Sequence, residues 1–261
     1  GSMDIIKYCR LESGRLILPV FVCCSWLINR ADGGNQLESN KVLGIIPAYN
    51  EEQRISPVVV GAIEHIPVLV IDDGSQDETS RVARETGARV VQQVPNQGKG
   101  AALRRGFEEA LSAGYEAVIT LDADGQHDPS EIPSFLNAYR EINPDLIIGR
   151  RDFNQIPPLR RLANSLGRWS FSWAVGQPIP DNQSGYRMLN QRMMKAVLGS
   201  AESGFEFEVE MIVICIQRGY SLEWVPIRTI YRDEGSHIHP LRHTLEFTRM
   251  VRQTRDRMKG S

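Results

Sequence analysis

The sequence has no apolar run as long as the roughly 20 residues that a helix needs to cross a bilayer. Its most apolar stretch, residues 16–28, spans only 13 positions and follows the basic residues Lys7, Arg10 and Arg15. This pattern is compatible with a packed or interfacial helix and also with a leader peptide, although no Ala-x-Ala-like cleavage site follows it. We therefore expect no membrane-spanning helix in this chain.

Cysteine and an excess of one charge are also scarce. Only four of the 261 residues are cysteine, and no pair has the C-x-x-C spacing of a zinc or redox site. We therefore expect no disulfide framework and a reducing, cytoplasmic environment. The formal net charge is −2, which gives no reason to expect a nucleic-acid partner.

A regular alternation of apolar and helix-like segments is present instead. Short apolar runs predict buried parallel strands over residues 42–46, 68–71, 89–94, 117–121 and 145–148. Helical patterns lie between them, over residues 51–65, 76–87, 98–113 and 130–142, with Ser130 as the expected N-cap of the last one. The alternation predicts an α/β fold with a single doubly wound, mostly parallel sheet flanked by helices.

The regular pattern ends near residue 150. Beyond it, the sequence predicts a helix over residues 205–218, apolar on nearly all sides and therefore buried, and then a strand-like run over residues 221–231. We predict an N-terminal extension of residues 1–40, one domain of residues 41–240 and a basic C-terminal helix of residues 241–261.

Polar residues follow the predicted strands at the point where ligands bind in open α/β sheets, beyond the carboxyl ends of the strands. These segments are residues 47–51, 72–75, 122–127 and 149–151. Any one of them could simply cap a strand or start a helix. Four such loops at one edge of a sheet predict a ligand site.

The loop after the fourth strand is the most informative. In an extended segment Asp122, Asp124 and Gln126 would point to one side, with neighbours about 6.5 Å apart. Such oxygen donors suit Mg²⁺ or Mn²⁺, with a substrate phosphate completing the coordination. His127 lacks a partner at zinc-ligand spacing, so zinc is not expected.

The segment Asn-Gln-Gly-Lys-Gly at residues 96–100 is not a P-loop. That motif needs Gly five residues before its Gly-Lys pair and Ser or Thr after it, and this chain has Gln93 and Gly100 there. A Gly-rich turn remains, with Lys99 at a helix N-terminus, where it could approach an anion or be solvated.

Together these motifs resemble family 2 glycosyltransferases with the glycosyltransferase-A fold. The resemblance is carried by Ile-Ile-Pro-Ala-Tyr-Asn-Glu-Glu at 45–52, Val-Ile-Asp-Asp-Gly-Ser-Gln-Asp at 70–77 and Leu-Asp-Ala-Asp-Gly-Gln-His at 121–127. Segments 181–187, 204–208 and 231–236 are similar to the dolichyl- and polyprenyl-phosphate mannose or glucose synthases. This implies inverting transfer of a hexose from a UDP- or GDP-linked sugar to a polyprenyl or dolichyl monophosphate, with Mg²⁺ or Mn²⁺.

The resemblance also implies residue roles. Catalysis is expected from Asp122, Asp124 and Arg232, and metal binding from Asp124 and Gln126. The half of the domain that spans residues 41–150 should bind the nucleotide through Pro47, Tyr49, Glu51, Asp72 and Asp73. Lys99 is a further candidate for nucleotide binding. The half that spans residues 151–240 should bind the acceptor through Arg150, Ser184 and Arg187.

One position departs from the pattern of this branch. Ser236 is followed by His237, where the branch usually has Lys. Because the ordinary pKa of histidine is about 6.5, the change could weaken phosphate binding or make it depend on pH.

The acceptor decides whether a catalytic base is needed. A lipid monophosphate has a second pKa of about 6 and is already nucleophilic near neutral pH, whereas a saccharide hydroxyl needs a carboxylate to take its proton. Glu206 and Glu208 are candidates for that base, and their alternative role is to compensate the dipole of the helix they begin.

Two other classes of protein also use such a sheet. A sugar-nucleotide-forming nucleotidyltransferase would favour a Gly-rich, basic first loop, but this loop is Pro-Ala-Tyr-Asn-Glu-Glu. A non-catalytic sugar-nucleotide-binding module would not need the acidic loop at Asp122.

The C-terminal segment suggests how a lipid acceptor could be reached. Residues 241–261 contain six basic and two acidic residues, interleaved with Leu245, Phe247 and Val251. The segment could lie on an anionic membrane as a peripheral contact, or it could be a solvated helix.

Overall fold

The computed structural model describes residues 39–151, 158–200, 207–228 and 240–259, with side chains except those of 158–164, 240–247 and 250. These residues all belong to one compact unit, residues 37–261. Several predictions concern residues outside the described ranges, namely those for the apolar stretch 16–28, Glu206, Arg232 and His237.

The described residues contain seven strands, and all five strands predicted from apolar runs are among them. The strands are β1 (Val42–Ala48), β2 (Val68–Asp72), β3 (Arg89–Gln92), β4 (Ala117–Thr120), β5 (Leu146–Arg151), β6 (Arg187–Asn190) and β7 (Leu222–Ile227). They form one sheet in the order β3-β2-β1-β4-β6-β5-β7.

Eight helices accompany the sheet in the described part of the chain. They are α1 (Ile55–Ile63), α2 (Thr79–Glu85), α3 (Lys99–Ser112), α4 (Ile132–Ile142), α5 (Pro158–Val175), α6 (Gln191–Leu198), α7 (Phe207–Gln217) and α8 (Pro240–Lys259). Short 3-10 turns cover Ser39–Lys41 and Pro129–Glu131. None of these described helices is long and apolar enough to span a bilayer.

The sheet is mostly parallel, as predicted. Strand β1 pairs in parallel with β2 and β4, β2 with β3, and β5 with β7. The exception is β6, which runs antiparallel between β4 and β5. This four-residue strand was not predicted, because it contains only two apolar residues, Met188 and Leu189.

The core lies on both faces of the sheet. All seven residues of β1 are buried, as expected of a central parallel strand covered by helices. Ile45 belongs to the cluster that contains Phe107 of α3, and Ile46 to the cluster that contains Val58 of α1. At Gly106 a Cβ would lie 2.6 Å from Ile45 Cγ2, so α3 packs closely on β1 only because this residue is glycine.

The boundaries of two predicted helices need correction. Asp128, not Ser130, is the capping residue before α4, because its Oδ1 accepts a hydrogen bond from Ser130 N at 3.0 Å and caps the 3-10 turn. The helix predicted over residues 51–65 begins only at Ile55. The predicted burial of the later helix is confirmed, since residues 207–215 of α7 are all buried.

Candidate active site

The loops after β1, β2, β4 and β5 gather at one edge of the sheet. Strands β1, β2 and β4 are mutually parallel, and β5 has the same direction because both β4 and β5 are antiparallel to β6. Strands β2 and β3 lie on one side of β1 and β4 on the other, so the chain changes winding direction between β1 and β4. A crevice at such a switch point is the usual ligand site of an open α/β sheet.

Hydrogen bonds interlock the first two loops. Asn50, in the left-handed region at φ 56°, donates its N–H to Ser75 Oγ at 2.9 Å and accepts from Gln76 N at Oδ1 at 2.8 Å. Glu51 N donates to Thr79 Oγ1 at 2.7 Å. Two loops joined in this way can present one preformed surface to a ligand.

The residues predicted for the nucleotide in the first loop differ in exposure. Pro47 is buried within β1, Tyr49 is exposed, and Glu51 is half-buried. The Glu51 carboxylate accepts from Arg54 Nε at 2.6 Å. Of these three residues, Tyr49 is therefore the most accessible to a ligand.

Asp72 is buried at the end of β2. It accepts from Ser75 N at 2.9 Å through Oδ1 and from Ser80 Oγ through Oδ2. Its carboxylate thus stabilises the conformation of the second loop from the buried side.

Asp73 is also buried and holds the turn that precedes α3. Its Oδ1 accepts from Gln93 Nε2 at 2.8 Å and from Gln97 N at 2.9 Å, and its Oδ2 accepts from Gly98 N at 2.6 Å. Gly98 has φ 91°, which favours glycine. Asp73 therefore fixes the backbone from which Lys99 projects.

Lys99 bridges two carboxylates. Its Nζ lies 2.6 Å from Asp122 Oδ1, at the end of β4, and 2.8 Å from Glu208 Oε1, in the first turn of α7. Neither carboxylate partner of Lys99 was predicted from the sequence. The bridge joins α3, the acidic loop and α7 at one point.

Asp122 and Lys99 both remain charged in this bridge. Desolvation opposes ionisation of Asp122, but the adjacent Lys99 ammonium lowers the pKa of Asp122 to about 2. Desolvation likewise opposes the charge on Lys99, but Asp122 and Glu208 outweigh it and raise the pKa of Lys99 above its usual value. Asp122 is therefore a carboxylate, and Lys99 a cation, across the physiological range.

The acidic loop forms a turn, and the expectation of an extended segment was wrong. Gly125 has φ 77°, and Asp124 Oδ1 accepts a hydrogen bond from Gln126 N at 2.9 Å. This bond brings residues 124 and 126 close together. His127 is buried behind the turn, where its Nδ1 accepts from Asp122 N at 3.0 Å. Burial lowers the pKa of His127 despite the nearby Asp122 carboxylate, so His127 supports the turn as a neutral ring.

The donor set of this turn fits a small divalent cation. Within the described residues, no cluster of three or more His, Cys, Asp or Glu side chains could hold a metal ion. Mg²⁺, however, is usually held by one or two carboxylates and completes its coordination with water and substrate phosphates. Asp124 and Gln126 are half-buried oxygen donors in one turn, while Asp122 beside them is engaged by Lys99.

Gly185 packs directly on the Asp122 carboxylate. A Cβ at this position would lie 2.9 Å from Asp122 Oδ2 and 3.1 Å from Lys99 Nζ. The Gly185 carbonyl accepts from Thr120 Oγ1 at 2.7 Å, which ties the segment to β4. No side chain fits between this backbone and the bridge of Lys99.

Arg187, predicted to bind the acceptor, is fully buried. Its guanidinium donates to three backbone carbonyls, those of Ser184 at 2.8 Å, Glu208, and Asn182 at 3.5 Å. Burial lowers the pKa of Arg187 to about 10, against the opposing effect of Glu208. In this arrangement Arg187 holds the chain of residues 182–184 against α7.

Two further residues expected to bind the acceptor have different surroundings. Arg150 is exposed at the end of β5, whereas the neighbouring Arg151 forms a bidentate ion pair with buried Asp181, at 2.7 and 2.9 Å. Ser184 is buried, and within the described residues neither its Oγ nor Asn182 Nδ2 has a hydrogen-bond partner. Of the three arginines 150, 151 and 187, Arg150 is thus the exposed one.

Three features of the site were not predicted: the contact of Glu208 with Lys99, the Gly185 backbone on Asp122, and the support of the Lys99 turn by Asp73. The two glycines at 98 and 185 were the available signals, because glycine in a polar loop often marks a close approach of the backbone. Nothing in the sequence pairs Lys99 with residues 23 and 109 positions away.

The fold is α/β and of the glycosyltransferase-A type. The structure superposes with a TM-score of 0.64 on glucosyl-3-phosphoglycerate synthase from Mycobacterium tuberculosis, solved in complex with Mn²⁺, UDP and phosphoglyceric acid. That match covers 82% of this chain and 76% of the other, at 20% sequence identity, and shows the fold.

Residues 45–198 match the family described as Glycosyl transferase family 2, and the chain belongs to that family. Over 217 residues it is 32% identical to polyprenol monophosphomannose synthase of Mycolicibacterium smegmatis, covering 76% of this chain and 80% of that protein. Over 214 residues it is 32% identical to undecaprenyl-phosphate mannosyltransferase of Micrococcus luteus, covering 75% and 86%. The predicted resemblance to the polyprenyl-phosphate sugar synthases is confirmed.

Proposed function

We propose that this chain transfers a hexose from a nucleoside diphosphate sugar, UDP- or GDP-linked, to the phosphate of a polyprenyl or dolichyl monophosphate, with inversion at the anomeric carbon. The observation that carries the proposal is the acidic turn with Asp122 and Asp124 at the switch point of the sheet, braced by Lys99. The names of the two relatives support the lipid phosphate as acceptor.

The two sides of the crevice suit two substrates. We assign the nucleotide to the interlocked loops after β1 and β2, where Tyr49 is exposed and Asp72 and Asp73 are buried. We assign the acceptor phosphate to the side of β5, where Arg150 is exposed. Arg232, proposed from the family resemblance to contact the donor diphosphate, lies outside the described residues.

The acidic turn would hold the cation. Asp124 and Gln126 supply oxygen ligands, and Asp122 adds a fixed negative charge next to them. Bound Mg²⁺ or Mn²⁺ would neutralise the charge that develops on the departing nucleoside diphosphate. Lys99 keeps Asp122 ionised and in place throughout.

The contact between Glu208 and Lys99 agrees with a phosphate acceptor. A saccharide hydroxyl would need a base to take its proton, and Glu208 is the described candidate. Its Oε1 is already in contact with the Lys99 ammonium at 2.8 Å, so this oxygen is not open to a substrate hydroxyl. A phosphate oxygen already carries negative charge near neutral pH, since its second pKa is about 6, and can attack the anomeric carbon without a base.

In the proposed step the acceptor oxygen forms a bond to the anomeric carbon of the sugar as the bond from that carbon to the nucleoside diphosphate breaks. The products are a polyprenyl phosphosugar and a nucleoside diphosphate. Because attack and departure occur on opposite faces, the anomeric configuration inverts.

A transfer assay tests this assignment. The purified protein is offered UDP- and GDP-linked hexoses with polyprenyl phosphate in one series and free saccharides in another, with and without Mn²⁺. We expect metal-dependent formation of a lipid-linked sugar with one donor and no transfer to free saccharides. Transfer to saccharides alone would favour a hydroxyl acceptor, and donor binding without transfer would favour a binding module.

Matched variants locate the reaction at the turn. Asp124→Asn should reduce transfer by about 10²-fold or more, as expected for removal of an electrostatic contact in a transition state. Glu108→Gln, an exposed change on α3, serves as the control and should leave the rate unchanged. Full metal-dependent activity in Asp124→Asn would overturn the assignment of the cation site.

A further inference from the structure

Helix α5 presents an apolar stripe to solvent. Leu166, Trp169 and Trp173 are 59%, 71% and 51% exposed. Their spacing of three and four residues places them on one helix face, whereas Phe171 and Ala174 on the opposite face are fully buried. We call Leu166, Trp169 and Trp173 the apolar stripe. Single exposed apolar residues are ordinary, but three in a row on one face, two of them tryptophan, mark an interaction surface.

A basic rim borders this stripe. The Arg255 guanidinium of α8 lies 4.8 Å from the centre of the Trp173 ring, and its NH1 donates to the Trp173 carbonyl at 3.0 Å. Arg252 and Lys259, three residues before and four after Arg255, share its side of the helix and are exposed. We call Arg252, Arg255 and Lys259 the basic rim.

The apolar side of α8 faces the protein, so Val251 is not available to a membrane. Val251 and Thr254 are buried, and Met258 packs against the core. Arg257, on the other side of α8, forms a bidentate ion pair with Glu210 of α7 at 2.7 and 2.9 Å. The apolar part of any surface formed by these two helices therefore comes from α5.

Helix α5 is also fastened to the chain that enters the active site. Arg168 NH1 donates to the Pro180 carbonyl at 3.2 Å, and Ser172 Oγ accepts from Ile179 N at 2.9 Å. This chain continues to Gly185, which packs on Asp122. A surface that binds α5 is thus linked through a short, hydrogen-bonded segment to the site of transfer.

We infer that the apolar stripe and the basic rim together form a docking surface for an anionic lipid membrane. Tryptophan is enriched at the depth of lipid headgroups, and basic residues beside it attract anionic lipids. Residues 248–259 contain five basic residues and one acid, so the charge is complementary to such a surface. A second copy of the chain is a poorer occupant, because it would bring the same excess of basic residues to the contact and no anionic surface.

The inference rests on the proposed lipid-phosphate acceptor for its biological purpose, but the binding itself can be measured without any substrate. The full chain is mixed with vesicles of phosphatidylcholine alone or with about one quarter phosphatidylglycerol, and bound protein is measured by flotation. We expect binding that requires phosphatidylglycerol and weakens as salt is raised.

Paired variants test each part of the surface. Leu166→Ala with Trp169→Ala should weaken binding about tenfold, since each loses apolar area that enters the headgroup region. The control is Ile142→Ala, at a 56% exposed apolar residue on α4. Arg252→Glu with Lys259→Glu should weaken binding at least about tenfold, and Arg84→Glu with Lys195→Glu, at exposed sites on α2 and α6, should not.

Tryptophan fluorescence adds a readout independent of bound mass. The emission should shift to shorter wavelength when phosphatidylglycerol vesicles are added, and the shift should be smaller in Trp169→Ala. Equal binding to both vesicle types, equal losses in the controls, or concentration-dependent self-association reversed by Trp169→Ala would each overturn the inference.

A transfer assay with a water-soluble acceptor distinguishes a failure of this inference from a failure of the proposed function. Leu166→Ala with Trp169→Ala should transfer hexose normally to a short, water-soluble prenyl phosphate, but poorly to polyprenyl phosphate in vesicles. If no lipid phosphate is ever glycosylated while vesicle binding follows the variants as expected, the docking surface stands and the proposed function fails.

Discussion

Lys99 Nζ lies 2.6 Å from Asp122 Oδ1, so the first residue of α3 is tied to the acidic turn that follows β4. The same ammonium reaches Glu208 at 2.8 Å, and Asp73 fixes the backbone just before Lys99 through Gly98 N. Hydrogen bonds of Asp73 and ion pairs of Lys99 thus connect the loop after β2 with the loop after β4 and with α7. These are the elements that the proposed reaction needs in a fixed relation.

The first prediction concerns this bridge. Lys99→Met should reduce transfer by about two orders of magnitude, because Asp122 and Glu208 would then be two like charges without their shared cation. The Lys99 side chain is 41% exposed and water screens the pair, so the loss in unfolding free energy should be only about 1–2 kcal/mol. Initial rates and urea unfolding measure the two effects.

Lys195→Met is the matched control, because Lys195 is exposed on α6. It should change neither the rate nor the unfolding midpoint. A Lys99→Met protein with the rate of the wild type would show that the bridge has no part in transfer.

Much of the fold could be predicted from the alternation of apolar runs and polar loops along the chain. Each of the five predicted strands is an apolar run bounded by polar loops, and the runs at β1 and β4 are buried on both faces of the sheet. Strand β6 could not be found in this way, since Arg187–Asn190 is short and half polar. Its strand character depends on pairing with β4 and β5, which are distant in sequence.

The site was predictable in its residues but not in its contacts. Asp122 and Asp124 follow an apolar run, so their place at the sheet edge could be inferred. The turn from Asp124 to Gln126 depends on Gly125 at φ 77°, a signal that was present in the sequence. The burial of Arg187 was not predictable, because charged residues are rarely buried and its partners are backbone carbonyls, which no side-chain pattern reveals.

The second prediction concerns the close contact between the Gly185 backbone and the Asp122 carboxylate. In Gly185→Ala the new Cβ would lie 2.9 Å from Asp122 Oδ2, so Asp122 must move away from Lys99 or the loop must shift. Transfer should fall about 10-fold or more, because small displacements of catalytic groups are costly. Gly199→Ala is the control, since its Cβ would meet nothing closer than 3.6 Å. Initial rates of both variants check this, and equal rates would contradict it.

The third prediction concerns pH and Asp145. This buried carboxylate joins β5 to β6 and β7, accepting from Asn190 Nδ2 at 2.9 Å and from Ser221 N at 2.9 Å. Burial opposes its charge, but these hydrogen bonds and Arg192 lower the pKa of Asp145 below its ordinary 3.8. A depressed pKa stabilises the fold above 3.8, and this contribution disappears as the pH falls through the folded-state value.

Asp145→Asn should therefore lose about 2 kcal/mol of unfolding free energy at pH 7, with the difference from the wild type shrinking below pH ~4. Urea unfolding at a series of pH values measures this difference. Asp256→Asn, at an exposed residue of α8, provides the comparison. A gap between wild type and Asp145→Asn that stays constant down to strong acid would contradict the assigned cause.

The last prediction separates two arginines to which the family resemblance gives the same role. Arg187 is fully buried on the carbonyls of Ser184 and Glu208, whereas Arg150 is exposed at the end of β5. Arg187→Lys cannot bond several carbonyls in one plane, so it should lose about 3 kcal/mol of unfolding free energy and lower kcat by letting Gly185 and Glu208 move. The KM for the acceptor should hardly change, because the buried guanidinium cannot reach it.

Arg150→Ala should behave in the opposite way. Its unfolding free energy should stay within about 0.5 kcal/mol of the wild type, as for most exposed positions, while the KM for the lipid phosphate rises. Unfolding curves and acceptor titrations on the two variants measure both quantities. If Arg187→Lys kept full stability and raised only the acceptor KM, Arg187 would bind the acceptor after all, and the buried contacts with Ser184 and Glu208 would have to open during turnover.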